Sequence, residues 1–152
     1  MKIQTLLIGA SLVLAACAST EITGDPDDPA KSSTELRSAV GAFITACVGK
    51  TQQKNIEASF DSLGMTKTEE NAAKISYTSP FGAGTLQRNG ICTITPADGS
   101  AAQVARLLDS TLPNAGVGAE KQNSETWLLN SGAVVLVSPD GTMTRTAIGG
   151  RG

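Results

Sequence analysis

An α+β fold is predicted for this 152-residue chain: a two-layer sandwich of one antiparallel sheet with about three helices on one face and one disulfide. Three observations predict it. Apolar residues recur at helical spacing in three separate stretches, and between and after those stretches the period drops to two, with Gly, Pro and Asn marking the turns. Each half of the chain also runs helix first and hairpin-linked strands second, which favours an antiparallel sheet covered by helices. The alternating runs number five or six strands. The two halves echo each other in order only, with no residue-level repeat.

The first helix is predicted to open at Ser32, with Glu35 three residues on as its capping-box partner. Leu36, Val40, Phe43, Ile44, Cys47 and Val48 then follow one face, and Gly49 ends the run. Ile56, Phe60 and Leu63 repeat the helical spacing over 54–63, and Gly64 stands where a left-handed C-cap is wanted. Residues 65–73 are polar, and the adjacent carboxylates Glu69 and Glu70 read as a solvated face. Ile75, Tyr77 and Ser79 alternate with Ser76 and Thr78 up to Pro80, after which Gly82-Ala83-Gly84 reads as a turn. The strand 85–88 meets Asn89-Gly90, a strong hairpin signal. A three-residue loop, Arg88-Asn89-Gly90 with Gly90 left-handed, places Leu86, Cys92 and Ile94 on one side of the sheet, and a single buried face fixes that register.

Ser100 with Gln103 forms a second capping box. Val104, Leu107, Leu108 and Leu112 make the third helix's apolar stripe, which Pro113-Asn114 stops. Residues 114–124 read as a polar loop, in which Gly116-Val117-Gly118 lacks the preceding strand and third glycine of a dinucleotide-binding turn. A three-stranded meander is predicted over 125–129, 133–138 and 142–148. Its middle run, Ala133-Val134-Val135-Leu136-Val137, is apolar enough for a central strand covered on both faces. Gly149-Gly150-Arg151-Gly152 reads as a loose end.

Composition narrows the function classes. Aromatic residues are few (Phe43, Phe60, Tyr77, Phe81 and Trp127), so the core must be mostly aliphatic. From residue 33 onward ten acidic side chains meet ten basic ones, so no basic face is expected and nucleic acid is not an expected partner. The sequence has no histidine. That excludes Ser-His-Asp and Cys-His catalysis and every metal site built on imidazole. No Ser-x-x-Lys occurs, and Thr51-x-x-Lys54 reads as helix capping. No catalytic, cofactor-binding or metal-ligating residue is therefore assigned, and the expectation is a protein that is not an enzyme.

The amino-terminal stretch carries the most specific motif. Lys2 precedes a short apolar run from Leu6 to Leu14, and small residues follow it, as in a secretory signal peptide. The run is too short for a membrane-spanning helix, which needs about 20 apolar residues. Leu14-Ala15-Ala16-Cys17 resembles the lipobox of bacterial lipoprotein precursors. The resemblance implies cleavage before Cys17, diacylation of its thiol and acylation of the new amino terminus. Ordinary cleavage after Ala18, releasing a soluble periplasmic or secreted protein, is the alternative. In enterobacterial sorting, aspartate after the lipidated cysteine favours inner-membrane retention; Ala18 stands there, so the resemblance implies an outer-membrane protein with its domain in the periplasm. The expected organisation is a signal peptide over 1–16, a lipidated Cys17 with an acidic, proline-containing tether over 17–32, and one domain over 33–152.

With Cys17 acylated, Cys47 and Cys92 remain as an even pair in an oxidising compartment, and a disulfide between them is the expected reading. Two buried free thiols are the alternative. Both cysteines lie on the apolar face of their own element, so a bond requires the first helix to lie across the strand after Asn89-Gly90. The expected partners are the membrane, through lipid on Cys17, and another envelope protein, in a structural or accessory role. The alternative is a small disulfide-stapled binding or inhibitor module that presents the loop 117–123, Val117 to Asn123, to a soluble enzyme or ligand.

Overall fold

Residues 28–147 are described by the computed structural model; the lipobox with Cys17 and the tail 148–152 lie outside them. The chain folds as α+β, with all helices on one face of a single antiparallel sheet. The sheet has eight strands, two more than the upper expectation. Its first half comprises α1 (Thr34–Ala42), a π-helical turn Phe43–Val48 and α2 (Gln53–Ser62), then β1 (Thr66–Glu70), β2 (Lys74–Ser79), β3 (Gly82–Gln87) and β4 (Cys92–Pro96). The second half repeats that plan with α3 (Ala101–Thr111), a 3-10 turn Leu112–Ala115, β5 (Glu120–Asn123), β6 (Thr126–Leu128), β7 (Val134–Val137) and β8 (Met143–Arg145). The strand order is β1-β2-β3-β4-β8-β7-β6-β5, so the two meanders join at their last strands. A pseudo-two-fold axis passes through that seam at the Thr93↔Thr144 pair.

The two strands that pattern reading passed over, β1 and β5, are the two edges. Every residue in both is exposed, so neither has an apolar alternation to detect. Both pair irregularly with their neighbours, β1 between Lys67 and Glu69 and β5 between Lys121 and Asn123. Charge and bulges on an edge discourage another strand from adding to it.

Helix starts and stops follow local chemistry, with one shift. The first helix is capped by Ser33, whose Oγ accepts from Leu36 N at 2.9 Å and donates to Asp98 Oδ1 at 2.9 Å. The residue three on from Ser33 is Leu36, so the Ser32–Glu35 box does not form. Ser32 is instead buried behind the 3-10 turn Pro29–Lys31, and Arg37 Nη2 donates to Ala30 O at 2.8 Å. The end of the segment expected as a tether is thus docked on α1. After Ala42 the helix widens, with Gly49 N donating to Ile44 O at 2.8 Å, and Phe43, Ala46, Cys47 and Val48 are all buried. Gly64 has φ 75° and Met65 N donates to Phe60 O, which closes α2 as its sequence predicts. Ser100 and Gln103 form their capping box.

Strand boundaries also shift. Gly82 pairs with Ser79 inside the β2–β3 hairpin, so the turn is Pro80-Phe81 and the glycines lie in β3. They are there for space: a Cβ on Gly84 would stand 3.0 Å from Met65 Cε and 3.4 Å from Phe60 Cζ. The next hairpin follows the predicted register, with Gly90 at φ 90°, Leu86 opposite Cys92, and Leu86, Cys92 and Ile94 buried together. The apolar run of β7 is covered on one face only. Val135 and Val137 are buried, Val134 and Leu136 half-buried, and the central strands are β4 and β8.

Edge strand β1 is held by ion pairs. Glu70 meets Lys67 at 2.9 Å and Arg88 at 2.7 Å, and its carboxyl lies below the usual carboxylate range, first through the Lys67 hydrogen bond and then through Arg88. A carboxyl more acidic in the folded chain than in the unfolded one favours folding while ionised. Its contribution is complete above the ordinary carboxylate range and is lost as pH falls through the lowered folded value. Acidification, or salt at neutral pH, should therefore raise amide exchange in 66–70 before the core responds. Glu70→Gln should abolish that response; an edge strand equally protected with and without the carboxylate would refute it.

Candidate functional site

The disulfide Cys47–Cys92 is formed, with the two Cα atoms 5.4 Å apart. It pins the π-helical turn to β4 as the inward faces of both elements require, and both cysteines are fully buried. Cross-strand from Cys92 lies Arg145 on β8, on the same inward face and 2% exposed. Its Nη2 donates to Gly90 O and its Nη1 to Thr146 O, each at 3.1 Å, while Nε has no partner. Among the described residues no carboxylate pairs with it. Burial pushes its pKa below the usual value, and a guanidinium remains charged all the same. Sequence reading assigned Arg145 no role; the available signal is its period-two spacing from Met143, which places it on the core side.

A second cluster lies between α3 and the β5–β6 hairpin. Trp127 is 2% exposed, and its Nε1 donates to Asp109 Oδ1 at 3.0 Å. Lys121 Nζ bonds the other Asp109 oxygen and lies 5.8 Å from the indole centroid. A polar handle on a buried indole is the usual arrangement in a core, so the tryptophan's faces are used for packing. Its fluorescence should peak at shorter wavelength than free indole and move to longer wavelength on unfolding; emission unmoved by denaturant would overturn the assignment. Beside the cluster is a cleft of about 280 Å³, lined by Ala102, Ala105, Arg106, Asp109, Lys121, Ser124 and Glu125. It is slightly smaller than the usual small-molecule site of about 300–1,000 Å³, and Arg106, Asp109, Lys121 and Glu125 put charge around it.

The loop 117–123 is not a free projection. Residues 120–123 form β5, and Val117 O accepts from Asn130 N at 3.2 Å. Gly118 is so close to Asn130 that a Cβ there would stand 1.9 Å from its Nδ2.

The face of the sheet opposite the helices is the largest surface left uncovered by the fold. One row crosses it from edge to edge: Glu69, Ser76, Thr85, Thr93, Thr144, Leu136, Thr126 and Asn123, each opposite the next. Flanking rows add Ala83, Thr95 and Thr142 on one side and Val134 and Thr146 on the other, with Thr95 and Thr142 hydroxyls 2.9 Å apart. Between β3 and β6 no outward position carries a charge. Among the described residues no group of three or more Cys, Asp or Glu is placed to hold a metal ion, and no helix is long and apolar enough to cross a membrane.

The fold and these surfaces define an α+β protein with a one-sided helical layer, an internal disulfide and a sheet face that is uncharged from β3 to β6. Compared with family models, curated proteins and solved structures, the chain finds no match in any of the three.

Proposed function

We propose that the protein is a membrane-anchored envelope lipoprotein with a non-catalytic, accessory role, tethered through lipid on Cys17 and contacting another envelope protein with its uncovered sheet face. One observation supports the contact most directly. The outward positions from β3 to β6 are uncharged, while charged residues such as Lys67, Glu69, Glu70, Glu120 and Lys121 stand on the two edge strands. Depletion of charge at the centre with a polar rim is the composition of protein interfaces, because an uncharged centre loses little hydration on contact. The charged, bulged edges leave the face as the available route of association.

Anchoring is tested first. Intact mass of the membrane fraction should show the chain from Cys17 with its acyl groups, and Cys17→Ser should abolish both the added mass and the membrane association. Recovery of unmodified wild-type protein beginning at Ser19 would sink the anchoring. The contact is tested separately, by pull-down of the acylated protein from native membranes with Thr93→Glu and Leu136→Lys variants. Each variant should fold with an unchanged spectrum and lose the membrane-complex partner that the wild type retains. A partner kept by both variants would move the contact off the sheet, and a soluble hydrolase captured instead would favour the inhibitor reading.

A further inference from the structure

We propose that the Cys47–Cys92 disulfide is redox-poised, with Arg145 holding Cys92 as a thiolate once the bond is opened. The starting point is a buried charge without a counter-ion among the described residues. Arg145 is 2% exposed and bonds two carbonyl oxygens, and its Nε faces nothing that accepts. Buried cations are costly unless paired. Cys92 is the residue directly opposite on β4, on the same face, and one of the guanidinium's two carbonyl acceptors belongs to Gly90, two residues before it.

Among the described residues, the elements packed around the pair are β3, β4, β7, α1 and the π-helical turn Phe43–Val48. Their only ionisable side chains apart from the two cysteines are Glu35 and Arg37 of α1, and both are exposed. Arg88, on the same hairpin loop as Gly90, is directed to Glu57 and Glu70. Lys50, just past the π-helical turn, is exposed. In the disulfide form no described residue gives the guanidinium an anion, and in the reduced form a Cys92 thiolate supplies one. A neighbouring cation lowers a thiol's pKa and makes that sulfur the better leaving group.

The exchange follows from that asymmetry. The thiolate of a dithiol reductant attacks Cys47 Sγ, the S–S bond breaks, and its electron pair leaves on Sγ of Cys92, the residue paired with Arg145 across the strands. The reductant's second thiol, deprotonated, then attacks the mixed disulfide and releases Cys47, which takes up a proton. The protein disulfide is reduced and the dithiol oxidised to its own disulfide. Both cysteines are fully buried, so the attack requires the π-helical turn to open.

The test is the thiol–disulfide equilibrium of the full chain in dithiothreitol buffers. It is read by alkylation and mass on the peptides carrying Cys47 and Cys92, which separates them from Cys17. At pH 8, Arg145→Gln should shift the equilibrium about tenfold toward the disulfide, equivalent to about 30 mV. At pH 5, where the thiol is protonated in either chain, wild type and variant should coincide. Arg145→Lys, which keeps the charge, should lie between them at pH 8. An offset equal at both pH values, or none at pH 8, overturns the proposal. Should Arg145→Gln fail to fold, the wild type decides alone. Its proton uptake on reduction should fall from two toward one below the ordinary thiol value of about 8.5, and uptake of two protons throughout that range overturns it.

Discussion

Replacing Cys47 with serine, or reducing its bond to Cys92, should destabilise the domain by about 4 kcal/mol while leaving the proposed membrane anchoring untouched. The figure comes from the loop that the bond closes, with its ends 45 residues apart in sequence. In the chain-entropy model that closure restricts the unfolded ensemble by roughly this amount. A domain of this kind has a net stability of about 5–15 kcal/mol, so the bond is a large share of the total. Denaturant titration with and without reductant checks it. The midpoint should fall steeply, and a reduced chain as stable as the oxidised one would show that the unfolded state is already restricted without the bond.

The second large effect is expected at Phe60. Its ring is fully buried on α2, 4.8 Å from the Tyr77 ring centroid at an interplanar angle of 60°, over the space that Gly84 leaves in β3. Truncation removes the ring contacts and leaves a cavity that backbone on two sides prevents from collapsing. Phe60→Ala should cost about 3–5 kcal/mol, and Phe60→Leu, which refills much of the volume, clearly less. The Tyr77 hydroxyl is already buried without a hydrogen-bond partner, and the cavity would give it room for water, which places the loss toward the lower figure. Trp127 reports the unfolding from the other half of the molecule. A midpoint unchanged in Phe60→Ala would mean that α2 does not cover the sheet there.

What was legible in the sequence is what buries a side chain. The stripe Val104, Leu107, Leu108, Leu112 and the alternation Leu86, Cys92, Ile94 each place apolar atoms against a partner, and each appears where the pattern placed it. The Cys47–Cys92 pairing followed from the same logic, since both cysteines had to face inward. The edge strands β1 and β5 bury nothing, so composition alone had no means of separating them from loops. The Ser32–Ser33 shift arose because both residues are good caps. The choice fell to a tertiary contact, Ser33 with Asp98, that no local window contains. Arg145 was missed for a related reason: a charged residue in a strand is read as outward by default, and only the register with Cys92 turns it inward.

The strand order has a kinetic consequence. Within each half every strand pairs with its neighbour in sequence, so all eight strands find at least one partner through a short turn, and loop closure there is cheap. The seam between β4 and β8 is the exception, three residue pairs that bring together strands about fifty positions apart. Within the sheet, pairing between the halves is therefore confined to one narrow junction, while the helical layer adds contacts of α1 with α3 and of β8 with the π-helical turn. Each half is expected to form first from its local contacts, with docking of the halves, at the seam and between α1 and α3, as the slower step. The disulfide lies wholly within the first unit, so it accelerates and stabilises that unit without shortening the search across the seam. Partial opening of the native protein follows the same line, the second meander separating from a first one that its covalent bond keeps closed.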